Sequence, residues 1–244
     1  MLFLLRQIRR KTLMNNKFTT YFLYSIGEIF LVVIGILIAV NIDDWNQEKE
    51  NENAEQLMLQ SILVELKSNE TLLKEAELAI QLQRSRTRDF IDLMSAHPHD
   101  SSISKLSSEI IFMGTEVYML QLNTIGIQSL LNSSIKLFSN DSLKHAVLQY
   151  PVLLKAYKDQ EDLMRRLTDN SVRPKIKEHI NLRNFANQSL SFESDLVELL
   201  SDRMLANHLQ DRLWESSDWS KDLLALRSHG QKLITQIENY LKEK

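Results

Sequence analysis

The sequence predicts an all-α protein, in which a single N-terminal transmembrane helix continues into a long helix and is followed by an extracytoplasmic antiparallel helical bundle. Three observations favour this fold class. Five Gly and three Pro in 244 residues are too few for the turns of an all-β protein. One N-terminal run is long and apolar enough to cross a bilayer. Downstream, apolar residues recur at helical spacing. The chain has no cysteine, which excludes disulfides and thiolate chemistry.

Residues 1–20 are predicted to form a basic cytoplasmic segment. Its topology-setting residues are Arg6, Arg9, Arg10, Lys11 and Lys17. Six acids and one lysine follow the apolar run between positions 43 and 55. Because basic flanks stay in the cytoplasm, this asymmetry predicts a cytoplasmic N-terminus and an extracytoplasmic C-terminal domain. The basic segment either lies on the anionic leaflet as a short amphipathic helix or only sets the topology.

Residues 21–42 are predicted to be the transmembrane helix. The 20 residues from Tyr21 to Val40 would span about 30 Å as a helix, the thickness of the hydrocarbon core. Tyr21 and Tyr24 at one end and Trp45 at the other are expected to be interface anchors. A cleavable signal peptide is the alternative, but no A-x-A cleavage pattern follows the run. We therefore expect a retained anchor.

A single carboxylate, Glu28, interrupts this apolar run. At 100° per residue, Gly35 and Ala39 lie on the same stripe of the helix as Glu28. Small residues allow two membrane helices to approach closely, so the stripe is a candidate helix–helix contact in which Glu28 is protonated or hydrogen-bonded. In the alternative interpretation, Glu28 extends toward the cytoplasmic interface and the small residues have no role.

The stretch from Asn16 to Asn46 carries a family resemblance. The matching positions are Gly27, Glu28, Ile29, Val33, Ile34, Gly35, Ile36, Leu37, Ile38, Ala39, Trp45 and Asn46. They resemble the N-terminal signature of an uncharacterised bacterial family of single-span membrane proteins, catalogued as a domain of unknown function. The resemblance implies one membrane helix in a bacterial inner (plasma) membrane and a helical extracytoplasmic domain, which would then be periplasmic, and it implies no activity. Residues 124–150 are similar to the family's mid-domain element, with "NSS" in place of the expected Ser-Gly turn.

Residues 43–56 are predicted to be an acidic neck, and residues 57–244 the helical bundle. From about residue 47 to residue 95, apolar residues at spacings of three, four and seven predict one long amphipathic helix. Asn69, Gln83 and Thr87 occupy the same register as the apolar stripe. In a coiled coil such polar positions set register or oligomer state, and in a bundle they mark where a helix leaves the core.

Further helices are predicted over about 102–131, 141–170, 174–185 and 193–214, with a last helix that starts near Ser217. Residues 140–142 are the expected cap of the second of these, and Pro151 is expected to kink it. Pro174 is expected to begin the next. In the last helix, Gly230 allows close approach of a neighbour.

The sequence indicates no catalytic site, no cofactor site and no metal site. It has no H-E-x-x-H, G-x-S-x-G or glycine-rich phosphate loop. His97 and His99, with Asp100, would bind a metal only weakly because no fourth ligand is indicated. Basic residues alternate with acids, which argues against nucleic acid as a partner. We therefore expect a protein that is not an enzyme.

Two function classes fit these observations. The first is an anchored extracytoplasmic interaction module, whose partners are the membrane and either a second copy of the chain or another membrane protein. The second is a sensory ligand-binding input domain, since helical bundles also bind small ligands between their helices. The 27 residues before Glu28 are too few for an output domain, so a sensor is expected to signal through a separate protein.

Overall fold

The computed structural model describes residues 17–95, 115–132, 138–182 and 194–243. Secondary structure in these ranges is helical, with no strand among the described residues, which confirms the all-α fold class. The chain divides into two compact units, residues 1–55 and residues 56–244.

The first helix, α1, extends from Lys17 to Ser95, so the prediction that the apolar helix continues into a long helix is confirmed. No proline lies within its 79 residues, and two glycines alone interrupt it, at Gly27 and Gly35. The part of α1 up to Glu55 belongs to the first unit, and the rest belongs to the second.

Three long helices build the second unit: α1 from residue 56, α3 from Asp141 to Leu167, and α6 from Arg203 to Glu243. Ion pairs joining Lys67 to Glu238 and Glu77 to Arg227 show that α6 runs antiparallel to α1.

The helices α3 and α6 are also antiparallel. The Ser139 Oγ lies 2.5 Å from the Tyr240 hydroxyl, and the rings of Tyr157 and Trp219 stack with centroids 6.2 Å apart. It follows that α1 and α3 run in the same direction. Of the described residues between them, Glu116 contacts Arg212 and Gly126 contacts Glu65, so this part of the chain runs opposite to α1.

Buried residues alternate at spacings of three and four on α1 and α6, which is the seven-residue repeat of coiled-coil packing. On α3 the same repeat has one gap of seven residues, between Tyr150 and Tyr157. On α1 they are Leu59, Ile62, Leu66, Asn69, Leu73, Ala76, Ile80, Gln83, Thr87 and Phe90. On α6 they are Leu205, Leu209, Arg212, Ser216, Trp219, Leu223, Leu226, Gly230, Leu233 and Ile237. A Cβ added at Gly230 would lie 3.3 Å from the Tyr150 ring, so glycine allows α3 and α6 to pack closely there.

A π-helical turn, Thr168–Val172, follows α3 and changes the register of its buried face. Thr168 and Val172 are both buried, four residues apart, and the next buried position is Ile176 on α4, which extends from Arg173 to His179. Pro174 lies in the first turn of α4, as the sequence predicts. The turn leads into a second, smaller core cluster: Phe90, Val172, Ile176, Ile180, Leu199, Leu200, Leu205 and Leu209.

Three predictions of helix bounds differ from the structure. The helix predicted over 174–185 ends at His179. Residues 116–124 are not helical, and only Ile125–Asn132, helix α2, remains of the described part of the predicted 102–131 helix. The third difference concerns the C-terminal region, where α5 covers Leu196–Ser201 and α6 continues through the predicted break near Ser217.

The position of the C-terminal break has a physical cause. Asp202 accepts hydrogen bonds from the amides of Met204 and Leu205, at 2.7 and 3.0 Å, and so caps α6. Ser216 instead bonds back to the Leu213 carbonyl within the helix, at 2.7 Å, so it does not act as a cap. The predicted cap at Asn140 is confirmed, because its side chain accepts from the Leu143 amide at 3.0 Å.

Candidate functional site

The candidate membrane contact residues, Glu28, Gly35 and Ala39, are all exposed on the first unit. A Cβ added at Gly35 would meet no atom within 4 Å, so the stripe is open to a neighbouring helix. An 18-residue window of this helix has a mean hydropathy of 2.5 and is not buried, which makes it long and apolar enough to span a membrane. The helix–helix contact itself stays a prediction.

The predicted interface anchors Tyr21, Tyr24 and Trp45 are also exposed. The ammonium group of Lys49 lies 5.4 Å from the centroid of the Trp45 ring, a cation–π contact at the acidic end of the apolar run. Among the topology-setting residues, Lys17 begins α1. The other four, Arg6, Arg9, Arg10 and Lys11, and the histidine pair His97 and His99, lie outside the described residues.

The non-helical residues 116–124, which we call the return segment, are held by polar side chains from inside the bundle. Asn69, a core position of α1, forms two hydrogen bonds with the backbone of Asn123. Its amide nitrogen donates to the Asn123 carbonyl at 2.6 Å, and its oxygen accepts from the Asn123 amide at 3.0 Å. The carboxamide therefore replaces the neighbouring strand or helix turn that would normally satisfy this backbone.

Helices α3 and α6 bind the same segment. Glu161 is 1% exposed and accepts from the Leu120 amide at 3.2 Å. Lys158 donates to the Leu120 carbonyl and to Glu161, the latter at 2.7 Å. Arg212 of α6 donates to the Glu116 carbonyl. Each long helix thus contributes a polar core residue that satisfies backbone groups of the return segment.

A buried carboxylate also holds the start of α2. The Glu65 Oε2 accepts from the Gly126 amide at 2.7 Å, and a Cβ at Gly126 would lie 3.2 Å from that oxygen. Burial raises the pKa of Glu65 above its ordinary value, against the opposing effect of the backbone amides of Gly126 and Ile127. Glycine at position 126 is what lets the α2 backbone approach this carboxylate.

Sequence reasoning missed these roles. The polar residues at core positions were visible, and we expected them to set oligomer state or to mark the end of the core. The spacing within a helix says which side chains are buried, but it does not say which backbone they meet. The Asn69 partner is 54 positions away along the chain.

The outer face of α1, opposite the buried stripe, is the least charged surface of the three long helices. When the buried positions are a and d of the heptad, the outer positions c and f are Leu57, Ser61, Val64, Ser68, Thr71, Glu75, Leu78, Leu82 and Ser85. We call this set the outer seam, and all nine residues are exposed. Leu57, Val64 and Leu78 are 67%, 69% and 61% exposed. Exposed aliphatic residues repeated at one heptad position are unusual for a surface in contact with water.

The equivalent f positions of the other helices are ordinary solvent-facing residues. On α3 they are His145, Val152, Asp159 and Arg166, and on α6 they are Asn207, Trp214, Lys221, Ser228 and Thr235. Val152 and Trp214 are exposed, but each is the one large apolar residue in its row. Only on α1 do large apolar residues repeat from heptad to heptad.

Glu178, His179 and Asp202 bring three possible metal-ligand atoms within 4.8 Å of one another. A cation is already present, because Lys175 lies 2.6 Å from Glu178 and 4.0 Å from Asp202. The His179 Nε2 lies 3.1 Å from the Asp202 carboxylate. Burial alone would raise the pKa of Asp202, but hydrogen bonds from His179 and the amides that it caps hold that pKa below its ordinary value. The contacts of Lys175 and His179 with Asp202 connect α4 to the start of α6.

A surface cleft of about 200 Å³ lies between the start of α3 and the end of α6. Its lining is Asn140, Ser142, Leu143, Gln236, Asn239, Tyr240 and Glu243. Three carboxamides and two hydroxyl groups can donate and accept hydrogen bonds there, although Asn140 already caps α3.

The described residues therefore combine a helix able to span a membrane, a buried helical core and an outer seam on α1 with Glu75 as its one charged member. No family model, curated protein or solved structure matches the chain.

Proposed function

We propose that this protein is a membrane-anchored interaction module. Its apolar helix holds it in a bacterial plasma membrane with the N-terminus in the cytoplasm, and its extracytoplasmic bundle binds another protein chain. The observation that carries the proposal is the outer seam, where aliphatic side chains stay in contact with water beside a closed core. Exposed aliphatic residues repeated along one line of a helix, with small polar residues between them, are compatible with a protein–protein contact.

The polar residues of the core support a role without catalysis. Two buried acids, Glu65 and Glu161, each accept a hydrogen bond from a backbone amide. Lys158 neutralises Glu161 at 2.7 Å. These contacts stabilise the fold and support a structural role for both acids.

The proposed topology has a direct test. A reporter fused after Lys244 should be active only outside the cytoplasm, and protease added to spheroplasts should digest the bundle, because the basic flank precedes the apolar run and the acids follow it. Recovery of an intact, cytoplasmic C-terminus would overturn the proposed compartment.

The interaction surface is tested with a photo-crosslinking amino acid in the full chain, in native membranes. Placed at Leu78 it should form protein adducts, and placed at Val152 it should not. The two positions are a matched pair because they are 61% and 60% exposed on α1 and α3. Equal yields at the two positions, or none at Leu78, would contradict the module.

The alternative function is a sensory input domain that signals through a separate protein, and the carboxamide-lined cleft favours it. Thermal-shift screening of the full chain with small polar ligands tests this role. A ligand that raises the melting temperature of the parent, but not that of Asn239→Ala, would support the sensor. No shift with any ligand, together with adducts at Leu78, would support the module.

A further inference from the structure

We propose that the outer seam of α1 pairs, in parallel register, with the outer seam of a second copy of this chain. The inference rests on the proposed function, since it names the partner of the interaction module. It follows from the period of the seam, from its composition and from the placement of its charges.

The outer seam has the same seven-residue period as the core. Its members alternate at spacings of four and three, from Leu57 to Ser85. A straight α-helix drifts by about 20° per heptad against such a repeat, whereas a supercoiled helix keeps it on one line. Because the core on the opposite side of α1 follows this repeat, the outer seam stays aligned along about 42 Å of helix. A second helix with the same period can therefore follow it throughout.

The composition of the seam suits close packing of two helices. Leu57, Val64, Leu78 and Leu82 offer apolar side chains, and Ser61, Ser68 and Ser85 are small enough to leave holes between them. Packing of this kind places each large side chain into a gap on the facing helix. The seam thus supplies both parts of the contact on a single surface, which is what self-association requires.

The positions of the aliphatic residues favour the parallel register. In that register each residue faces the same residue of the second copy, so Val64 contacts Val64 and Leu78 contacts Leu78. In the antiparallel register that aligns the two seams end to end, Leu78 faces Val64, but Leu57 faces Ser85 and Leu82 faces Ser61. Only the parallel pair therefore buries all the aliphatic residues against one another.

The one charged member of the seam also fits the parallel register. Glu75 would meet its own copy there, which is unfavourable, but Lys74 precedes it on the exposed flank of each helix. In a parallel pair, Lys74 of the second copy borders the hole that receives Glu75. In an antiparallel pair centred near Thr71, Lys67 also borders Glu75, and it already binds Glu238 of its own chain at 2.6 Å.

Single-cysteine variants test the pairing, because the chain has no cysteine and every disulfide dimer must join the same position of two copies. We expect Leu57→Cys and Leu82→Cys to crosslink efficiently in the full chain, in native membranes, under mild oxidation. Val152→Cys is the matched exposed control and should not crosslink. An antiparallel pair would separate both seam positions from their copies by tens of ångströms and would crosslink only near Thr71.

Charge variants test the register independently. In a Leu82→Cys background, Lys74→Glu should lower the dimer yield and Glu75→Leu should raise it, each by about two- to fivefold, the range of an exposed ion pair. All variants are repeated with Gly35→Leu, so that a contact between membrane helices does not contribute. Circular dichroism should show the parent helix content for each variant, because these side chains are exposed.

The outcomes separate the two proposals. Yields at Leu57 and Leu82 no higher than at Val152 would overturn the self-pairing. If the photo-crosslinker at Leu78 then joins a different protein, the interaction module stands and only the second copy is rejected. If the photo-crosslinker at Leu78 forms no adduct, both the interaction module and the self-pairing are rejected. Opposite signs for the two charge variants would reject the parallel register.

Discussion

The two faces of α1 depart from the usual amphipathic pattern in opposite directions. Its inner face carries Asn69, Gln83 and Thr87 at positions where a bundle usually has aliphatic residues. Its outer face carries Leu57, Val64 and Leu78 at positions where a helix in water usually has charged ones. Both departures indicate that α1 contacts more than the two long helices beside it.

The inner face meets a backbone at Asn69, and this explains that polar residue. A helix packed against side chains needs only apolar contacts, but the return segment brings backbone groups such as the Leu120 amide into the core, where they must be satisfied. Thr87 instead donates to the Gln83 carbonyl of its own helix. The outer face approaches its own chain at Ser61, beside Gly126 of α2, whereas Leu57, Val64 and Leu78 stay exposed and so are the residues that we propose meet another molecule.

The largest effect on stability is expected from Asn69→Leu. The variant removes both hydrogen bonds between the buried Asn69 side chain and the part-buried backbone of Asn123. At about 0.5–1.5 kcal/mol net for each hydrogen bond, the free energy of unfolding should fall by about 1–3 kcal/mol in urea titrations. Ser68→Leu introduces the same side chain on the exposed neighbour and should change it little. A variant at position 69 as stable as the parent would show that the return segment is not held by Asn69.

A smaller loss is expected from Asp202→Ala, which removes the cap of α6 and the contact with His179. Loss of a cap typically lowers stability by about 0.5–2 kcal/mol. Because the folded state lowers the pKa of Asp202, its contribution is complete above the ordinary value of 3.8 and is lost as the pH falls through the folded pKa. Urea titrations should therefore show a gap between parent and variant at pH 7 that narrows below pH 3.8. A gap that stays constant would contradict this linkage.

For Glu65→Gln, the stability difference between parent and variant should change with pH in the opposite direction to that for Asp202→Ala. Burial raises the pKa of Glu65, so its contribution is greatest below the ordinary value of 4.5 and is lost as the pH rises through the folded pKa. On acidification from pH 7 toward pH 4.5, the parent should gain stability relative to the variant. Glu75→Gln, an exposed control on the outer seam, should give a profile parallel to that of the parent. Parallel profiles for both variants would mean that ionised Glu65 is not disfavoured by the fold.

The smallest effect on stability is expected on the outer face. Replacing Leu57, Val64 and Leu78 with serine should change the free energy of unfolding of the monomer by no more than about 0.5 kcal/mol per site, because these side chains are exposed. The measurement is a urea titration in detergent at a dilution that keeps the chain monomeric. A larger loss would mean that these residues pack within their own chain, and that the outer seam is not free for a partner.

Much of the fold could be predicted from local sequence. The apolar run, the long amphipathic stripe of α1, the cap at Asn140 and the start at Pro174 each depend on residues within one or two turns of each other. Two features could not be predicted this way. The return segment depends on side chains from three helices, and the break at Asp202 depends on a capping geometry that Ser216 and Ser217 resemble in sequence.

The residues of the outer seam can be read from the sequence, but the buried stripe of α1 gives a stronger apolar pattern. The buried stripe of α1 has more apolar residues than the outer seam, so a search for one amphipathic face finds the core. The outer seam becomes visible only when the heptad frame is fixed by burial and the opposite positions are compared among helices. The uncharged character of its c and f positions, with Glu75 as the exception, is the signal that would have indicated it.

The central claim is that the outer face of α1 is a protein–protein contact between two copies, and the most direct test is the monomer–dimer equilibrium in a bilayer. Fluorescently labelled full-length chains are reconstituted into liposomes at decreasing protein-to-lipid ratios, and subunits are counted by photobleaching. The parent and Val152→Ser should show the same dimer fraction, falling with dilution, and the variant with serine at positions 57, 64 and 78 should dissociate at a ratio at least about tenfold higher, since about 1.4 kcal/mol of lost association is a factor of ten. A parent that is monomeric at every ratio, or a triple variant that dimerises like the parent, would contradict the claim.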